Sequence, residues 1–333
     1  MELRKVQEMG GGTYLISLPK EWARKNMVKK GSFLTVDMTK NGYLIIYPFQ
    51  KEERSINEIV TRYPAEKIEY MINEITGGYL LGYDVIKVQG KDQITYDDRG
   101  KIKKAVEQLI GLEIVEEDAQ SITTQFLLEP TSFTPDKVFR RMHTISRGMC
   151  NDAIISLVKS DKYLVKVVAE RDDEVDRLHF FLVRLIRSAL LDPKLLSNFK
   201  LNPIDCLDYR VASSLLETIG DASIKIVKNV SKLPRFDFSD ELNNMFKEVK
   251  ETLKKMQDLA VKAFLTKSIN DARQVMELYN TLSRRLDDYE KVIPNEPLSI
   301  FMGLSVIFLS IIEICRCNAD IADLAVPMYS NIR

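Results

Sequence analysis

The sequence predicts a multidomain protein with three parts: a strand-rich amino-terminal module, a small α+β unit in the middle, and an all-α helical bundle. Three observations predict this order. Short apolar runs separated by glycines fill residues 1–50, strands and helices alternate over about residues 55–130, and long amphipathic helical stretches follow over 134–330. The chain has 333 residues, which is enough for two or three domains.

The composition is that of an ordinary globular protein. There are 48 basic and 48 acidic residues, so the net charge is zero, and 45% of the residues are hydrophobic. This balance excludes a disordered or collagen-like chain. Four cysteines are too few for a disulfide scaffold, and the start MELRKVQEMG lacks the apolar core of a secretory signal. We therefore expect a cytoplasmic protein with reduced thiols.

Charge is unevenly distributed along the chain. The first 50 residues contain eight basic and four acidic residues, a net charge of +4, and the rest of the chain carries −4. A small basic module attached to an acidic body favours a module that binds a polyanion and a body with a different task.

The sequence pattern of the amino-terminal module predicts short strands around one helix. Apolar and polar residues alternate from Leu3 to Met9, a second apolar run follows three glycines, and Pro19 can begin a helix in PKEWARKNM. SFLTVDM and YLIIYP are predicted strands, separated by the hairpin signal Asn41-Gly42. A unit this small leaves much apolar surface uncovered, which dimerisation would bury.

The order RKVQEMGGGTYLISLPKEWARKNMVKKGSFLTVDMTKNGYLIIYP resembles the AbrB/SpoVT DNA-binding domain. The resemblance lies in the RKV strand, the run ISLPK with Trp22 in the following helix, the KKGSFLTV turn and strand, and the closing LIIYP strand. It implies a homodimer that forms a swapped-hairpin β-barrel with a DNA-facing surface. The run Gly10-Gly11-Gly12-Thr13 departs from this pattern, because the family's usual turn is shorter.

The candidate DNA contacts are basic side chains of this module: Arg4, Lys5, Lys20, Arg24 and Lys25. Two copies would place about +8 on one compact unit, enough for several phosphate contacts. The alternative is that these side chains are solvated surface residues. The sequence does not distinguish a residue that reaches a base edge from one that contacts only phosphate.

The sequence of the middle unit predicts a small α+β fold with few residues that could carry out chemistry. After the charged connector KEERSINE, we expect a helix that breaks near Gly77-Gly78, then a strand in DVIKVQG and a helix in DDRGKIKKAVEQL. Two strands, LEIVEED and SITTQFLLE, complete it. It has no glycine-rich phosphate loop, histidine or cysteine. A spacer or dimerisation role is therefore expected, with small-ligand sensing as the alternative.

The helical region repeats itself. Six positions recur at a constant offset of 107: Met149, Ala153, Ser156, Asp161, Val165 and Val168 correspond to Met256, Ala260, Ala263, Ser268, Ala272 and Val275. LLETIGDA at 215–222 matches IIEICRCN at 311–318. Six helices are predicted in two repeats, 134–230 and 238–327: 134–159, 162–191, 203–230, 238–265, 268–292 and 296–327.

Acidic residues interrupt an apolar seam on two of these helices. Asp172 and Asp176 lie four residues apart on one stripe, and Glu217 and Asp221 repeat this spacing on the next long helix. Partly buried carboxylates repel one another, so a bundle tolerates them only with a counter-charge. Facing helices with paired carboxylates are typical of a hard-cation site.

Other side chains bear on this site. His179 follows Asp176 by three residues and could add a nitrogen ligand that favours iron or manganese, although a hydrogen-bonded core histidine is the more frequent role. Three arginines are competing counter-charges: Arg171, Arg177 and Arg210. Cys315 and Cys317 are too closely spaced for a zinc site.

The segments DDEVDRL and LLETIGDASIKI resemble the two acidic motifs of the PhoU family of phosphate-uptake regulators, over about residues 134–330. The resemblance implies two three-helix repeats and a bound divalent or trivalent metal ion, for which iron, manganese, magnesium and zinc are the candidates. By motif, the ligands are Asp172, Asp176, Glu217 and Asp221. In the second repeat Tyr279 and Ser283 replace the first acidic pair, and Cys317 follows Glu313, so we expect one metal site per chain.

The segment LSIFMGLSVIFLSII, residues 298–312, is apolar all round. Fifteen residues are fewer than the roughly 20 that span a bilayer, and Glu313 follows at once, so a buried bundle helix is predicted and not a membrane span. A docking face for a membrane transporter is the weaker alternative.

These features favour a homodimeric regulator in which the AbrB-like module binds DNA and the metal-binding bundle senses or relays phosphate status. The combined architecture is similar to archaeal PhoU-related proteins, which suggests transcriptional control of phosphate-uptake genes. The alternative is an interaction protein that inhibits a phosphate ABC transporter or contacts a sensor protein, with the basic module serving to dimerise. A third interpretation is an iron or manganese carboxylate enzyme. No nucleophile beside a base is evident in the sequence, so no catalysis is predicted.

Overall fold

The computed structural model describes the whole chain except residues 1, 39–41, 50–55, 234–237, 290–297 and 326–333. It divides into two compact units, Met1–Ser55 and Ile56–Arg333. The second unit contains both the middle sheet and the helical bundle.

The first unit consists of two hairpins and one short helix. Its elements are β1 (Gln7–Met9), β2 (Thr13–Leu15), α1 (Lys20–Lys25), β3 (Leu34–Met38) and β4 (Leu44–Pro48). β1 pairs antiparallel with β2, and β3 with β4. Gly11 and Gly12 adopt positive φ angles of 94° and 80° in the first turn, a conformation that favours glycine. Asn41 of the predicted second turn lies outside the described residues.

The first unit has no core of its own within the described residues. None of its described side chains is buried, and large apolar groups such as Phe33, Met38 and Tyr43 are 79%, 78% and 71% exposed. The predicted strand order is therefore present, while the surfaces that would close a barrel are uncovered in a single copy.

The second unit begins with a four-stranded sheet. Its elements are β5 (Glu58–Tyr63), α2 (Ile68–Leu80), β6 (Val85–Gly90), α3 (Tyr96–Glu107), β7 (Leu112–Glu117) and β8 (Ser121–Phe126). The strand order is β5-β6-β8-β7, with β5 parallel to β6 and the other neighbours antiparallel.

Two details of the sheet correct the sequence-based expectations. β5 was not predicted, because the predicted charged connector KEERSINE ends on its first residue, Glu58, and the short run that follows was left unassigned. The predicted break at Gly77-Gly78 is wrong, since α2 continues through both glycines. A Cβ on Gly78 would lie 3.2 Å from side-chain carbons of Ile59 and Ile86. The glycine therefore allows α2 to pack closely on the sheet.

The helical bundle matches the prediction closely. Its long helices are α4 (Pro135–Lys159), α5 (Lys162–Leu191), α7 (Pro203–Val230), α8 (Asp240–Thr266), α9 (Ile269–Tyr289) and α10 (Leu298–Asp323). A short helix, α6 (Pro193–Asn198), lies in the turn between α5 and α7 and was not predicted. The predicted ends of α9 at 292, of α10 at 327 and the start of α10 at 296 lie outside the described residues.

The internal repeat has a local physical basis. α4 and α8 both end at a residue in the left-handed conformation, Ser160 with φ 51° and Lys267 with φ 53°. The next residue then caps the following helix, because Asp161 accepts hydrogen bonds from Tyr163 N and Ser268 accepts one from Asp271 N. Both repeats thus use the same turn at the same offset of 107.

α10 is a core helix of the bundle that extends beyond the apolar run seen in the sequence. Its segment Met302–Asp323 is long and apolar enough to cross a membrane by length and composition alone, and 56% of its most apolar window is buried within the protein. Phe308 packs on Phe246 of α8 at 5.9 Å between ring centroids, and Glu313 pairs with Lys225 of α7. These contacts favour the predicted bundle helix.

Arg184 of α5 connects the bundle to the sheet. Its side chain is only 2% exposed, and Nη1 donates a hydrogen bond of 2.6 Å to the carbonyl of Tyr79 at the end of α2. The guanidinium carbon lies 3.9 Å from the ring centroid of Phe126 and 5.0 Å from that of Tyr79. A cation is favourable here because helix-terminal carbonyls carry partial negative charge and aromatic faces attract cations.

We expect Arg184→Ala to lower the free energy of unfolding by about 3 kcal/mol, because it removes charged hydrogen bonds and leaves a cavity between α5 and the sheet. Urea unfolding of the full chain, followed by circular dichroism, measures this change. Arg187→Ala is the control, since Arg187 is exposed on the same helix. Equal effects of the two substitutions would contradict this role of Arg184.

Candidate functional site

The four predicted metal-site carboxylates lie along one seam between α5 and α7. The two helices run antiparallel, with Asp172 opposite Gly220 and His179 opposite Ser213. The Oδ1 atom of Asp172 is 3.4 Å from the position that a Cβ on Gly220 would occupy. The Asp172 carboxylate therefore lies against the surface of α7 at Gly220, at an ordinary van der Waals distance.

Electrostatic coupling shows that these carboxylates are neighbours. Burial, followed by the charges of Asp176 and Asp221, raises the pKa of Asp172 to about 6. The pKa of Asp176 is also raised to about 6, first by burial and then by Glu217 and Asp221. Burial, Asp221 and Asp172 raise the pKa of Glu217. The structure thus brings together the four acids that the spacing grouped.

The arginines do not neutralise this seam within the part of the chain that the structure describes. Arg171 is paired with Asp152 of α4 at 2.6 Å, and the Nε atom of Arg177 is buried without a hydrogen-bond partner. The positive charge of Arg210 lowers the pKa of Glu217 but forms no ion pair with it. Among described residues, none of the four carboxylates has an ion-pair partner, so the competing arginine interpretation is not supported.

The side chains as they stand do not form a closed coordination shell. In the described ranges, no group of three or more His, Cys, Asp or Glu side chains is arranged to hold a metal ion. The chemistry of the donor set nevertheless fits a hard cation, because the four groups are carboxylates and lie on two facing helices. Three of them are half-buried and Asp221 is exposed, so the seam is open to solvent.

His179 lies one turn further along α5 from the carboxylates. It is only 8% exposed. Burial and the nearby Arg210 lower its pKa to about 4, although a hydrogen bond to the backbone of Ser213 acts in the opposite direction and raises it. Its Nδ1 atom is buried without a hydrogen-bond partner. The imidazole is therefore neutral at pH 7, which is the form that binds metals, and its ligand role stays a prediction.

The second repeat lacks the equivalent acidic seam. Glu313, which corresponds to Glu217, is paired with Lys225 at 2.9 Å. Burial raises the pKa of the Cys317 thiol, which stands where Asp221 stands in the first repeat. A single carboxylate neutralised by lysine has no need of a metal ion. The expectation of one site per chain is consistent with this difference.

The candidate DNA contacts are differently placed on the first unit. Lys5, Lys20, Arg24 and Lys25 are exposed, with Lys20 at the start of α1 and the pair Arg24-Lys25 in its last turn. Arg4 is half-buried, pairs with Glu2, and donates a hydrogen bond of 3.3 Å to Ser17 Oγ. Arg4 therefore contributes to local structure, while the other four side chains are accessible.

Sequence reasoning missed a polar link between the two repeats. Asp258 of α8 accepts two hydrogen bonds from Arg147 Nη1 of α4, at 2.9 and 3.0 Å, and lies 3.2 Å from His143 Nε2. Beside it, Gln257 donates to Ser146 Oγ at 2.8 Å. The positions of Arg147 and Asp258 on their own helices are unremarkable in the sequence, so no local signal predicted this pair.

The fold and these charged groups define a class of protein. It combines a basic, strand-rich module, in which no described side chain is buried, with a helical bundle of two three-helix repeats, the first of which holds an acidic seam. Residues 139–230 match the PhoU domain, and residues 8–54 match the family described as antidote-toxin recognition MazE, bacterial antitoxin. The chain therefore contains a PhoU domain preceded by a MazE/AbrB-like domain, and the resemblances seen in the sequence are confirmed.

Two solved structures are similar to part of the chain. PhoU from Pseudomonas aeruginosa is 20% identical, with a TM-score of 0.47 over 58% of this chain and 93% of that one. The phosphate transport system regulatory protein PhoU from Streptococcus pneumoniae is 16% identical, with a TM-score of 0.46 over 58% and 91%. No curated protein matched the chain.

The raised pKa values of the acidic seam predict a pH-dependent stability. The folded-state pKa of Asp172, about 6, lies above its ordinary value of 3.8, so the folded state binds this proton more tightly than the unfolded state. The metal-free protein should therefore lose stability as the pH rises from about 4 to about 6. Asp172→Asn should restore about 1 kcal/mol at pH 7, after allowance for solvent screening of a half-exposed group.

Urea unfolding with a chelator present, at pH 7 and at pH 4, measures this effect. The gain from Asp172→Asn should disappear at pH 4, where the native carboxyl is protonated in the folded state. Glu170→Gln, at an exposed position of the same helix, is the control and should change neither value. A stabilisation by Asp172→Asn that is equal at both pH values would contradict the electrostatic cause.

Proposed function

We propose that the protein is a homodimeric, cytoplasmic, DNA-binding transcriptional regulator of phosphate uptake, in which a metal-binding bundle senses or relays phosphate status. One observation carries the proposal: a PhoU domain whose seam carboxylates have no ion-pair partner among the described residues is joined, in one chain, to a MazE/AbrB-like module in which Lys5, Lys20, Arg24 and Lys25 are exposed. The role is regulatory and not enzymatic.

The exposed apolar surface of the first unit supports the homodimer. A 55-residue unit with no buried side chain among its described residues is not stable by hydrophobic burial alone. A second copy would cover groups such as Phe33 and Tyr43 and complete the barrel that the AbrB resemblance implies. The dimer would also bring two sets of basic residues onto one surface.

The position of the basic residues supports DNA binding. Lys20, Arg24 and Lys25 are exposed on α1, and Lys5 is exposed just before β1. Lysine and arginine contacts to phosphates supply most of the affinity of such modules and release counter-ions from the DNA. In a dimer, each copy would contribute its own contacts along the duplex.

The unneutralised seam supports metal binding in the bundle. Asp172, Asp176, Glu217 and Asp221 would supply oxygen ligands, and His179 a nitrogen ligand. A bound divalent or trivalent cation would remove the repulsion that raises the carboxyl pKa values, so its binding free energy is coupled to that of folding. Iron, manganese, magnesium and zinc all remain candidates, because carboxylates bind each of them.

One observation favours the alternative of a protein that inhibits a phosphate transporter. Met302 and Leu309 of α10 are 63% and 61% exposed, and Val306 lies between them on the same face. An exposed apolar stripe on a bundle helix is a feature of partner-binding surfaces. In this alternative the first unit only dimerises the chain, and DNA binding is absent.

We expect Lys20→Ala/Arg24→Ala to weaken binding to the DNA upstream of the protein's own gene at least tenfold, because phosphate contacts are lost. A gel shift, repeated across salt concentrations, measures both affinity and its salt dependence. The slope of log K against log salt should fall by about 3.6 for a dimer, which loses four contacts, and by about 1.8 for a single copy.

The matched control for this measurement is Lys254→Ala/Lys255→Ala, which removes two exposed charges from α8 in the second unit. It should leave both affinity and slope unchanged. Equal losses in the two double variants, or equal binding of random DNA by the native protein, would exclude sequence-specific regulation through the first unit.

We expect one tightly bound metal ion per chain, which is lost in Asp172→Asn/Asp221→Asn. Elemental analysis of purified protein and titration calorimetry with Mn²⁺ measure this. The double variant should remain folded, since the substitution removes repulsion. Glu313→Gln is the control and should bind as the native protein does, because Lys225 already neutralises Glu313. Equal metal content in all three proteins would remove the proposed site.

A further inference from the structure

The outer edge of the sheet in the second unit presents unpaired backbone groups. β5 lies at the end of the strand order and pairs only with β6, in parallel. The carbonyl of Asn57 accepts from Asp84 N and Val85 N, and that of Tyr63 from Lys91 N, so odd-numbered residues face β6. Because residues alternate sides along a parallel strand, Glu58, Val60 and Arg62 direct their N–H and C=O groups outward.

These outward groups have only part of the protection that edge strands usually have, because β5 carries the charges of Glu58 and Arg62 but has no bulge. Among described residues, no hydrogen bond occupies them, and β5 keeps a regular register over its six residues without a bulge or an internal proline. The opposite edge differs, because β7 has a bulge between Ile114 and Glu116 and carries three glutamates. A bulge and charges of one sign oppose strand addition at β7, whereas β5 has a regular backbone and two charges of opposite sign, which can pair with a second strand.

We propose that β5 pairs antiparallel with β5 of a second copy, so that the two four-stranded sheets join into one sheet of eight strands. The two-fold axis passes through Val60, which lies opposite Val60 of the partner subunit. Glu58 then lies opposite Arg62 of the partner subunit, and Arg62 opposite the partner's Glu58. This register pairs the outward-facing residues with each other, as an antiparallel ladder requires.

The side chains of this register are complementary. Glu58, Val60 and Arg62 alternate with the less exposed residues of β5 and so share one face of the sheet. Two opposite-charge pairs would flank one pair of β-branched side chains, and both kinds of cross-strand pair stabilise a sheet. A shift by two residues in either direction would remove both charge pairs. The second copy is therefore the occupant that the charges of this edge fit.

The connector between the two units favours this pairing. Nine residues, 49–57, separate the end of β4 at Pro48 from the start of β5 at Glu58. They reach at most about 32 Å when fully extended. A dimer of the first unit would therefore tether two β5 strands to one another and raise their effective concentration. The pairing itself involves only the second unit and goes beyond the dimer already proposed.

Cysteine cross-linking of the full chain tests the register. In a hydrogen-bonded antiparallel pair the two Cα atoms are about 5.5 Å apart, which a disulfide can span. Val60→Cys should form a disulfide-linked dimer on a non-reducing gel at least ten times faster than Val115→Cys, at an exposed position on the opposite edge. The four native cysteines are buried and do not compete.

A charge reversal tests the partner residues. In the Val60→Cys background, Glu58→Arg alone and Arg62→Glu alone should each slow cross-linking about tenfold, because like charges then lie opposite each other. Glu58→Arg together with Arg62→Glu should restore the native rate. A dimer that forms only through the first unit would show no such rescue, and DNA-binding results do not affect this outcome.

Hydrogen exchange identifies any other occupant of the edge. The amides of Glu58, Val60 and Arg62 should exchange slowly if β5 is paired. Slow exchange without Val60→Cys cross-linking means that another chain covers the edge, and fast exchange means that nothing does. Either result overturns the proposal, as does cross-linking of Val60→Cys at the rate of Val115→Cys.

Discussion

The burial of one guanidinium group constrains how the second unit is assembled. Arg184 lies between α5, the end of α2 and the ring of Phe126, so the sheet and the bundle must keep this arrangement to compensate for its desolvation. The same helix carries Asp172 and Asp176, which lie two to three turns away, about 12 to 18 Å along the helix axis. α5 is therefore a continuous connection between the acidic seam and the sheet, and a change in the seam acts on a helix whose other half is fixed.

The two repeats share one backbone arrangement but differ in the charges that they carry. Both repeats use the same left-handed turn at Ser160 and Lys267, which places their helices alike. They differ in charge, because the four carboxylates of the first repeat form no ion pair among the described residues, whereas Glu313 of the second repeat is paired with Lys225. One scaffold thus carries an acidic seam in its first repeat and an ion pair at the equivalent place in its second repeat. The ion pair between Arg147 and Asp258 connects the two repeats, which share one apolar core.

The helices were predictable because their limits depend on local chemistry. Proline begins α4 and α7, and Thr134 and Asn202 cap them with side-chain hydrogen bonds to the following N–H groups. The grouping of Asp172, Asp176, Glu217 and Asp221 was also predictable, since spacing alone places each pair on one helical stripe. β5 was missed because its pairing with β6 is a tertiary contact. The continuity of α2 was missed because the close packing of Gly78 on the sheet, which explains the glycine, is visible only in the tertiary structure.

The amino-acid sequence by itself determined the order of the domains, the six-helix repeat, the basic character of the first unit and the stripe of acids on α5 and α7. These properties follow from periodicity, capping and charge, which act over a few residues. Only the tertiary structure decided that the arginines near the seam leave its carboxylates unneutralised, that Arg184 is buried against the sheet, and that β5 is an open edge. The reason is that burial and partner choice depend on residues far apart in the chain, which no local pattern specifies.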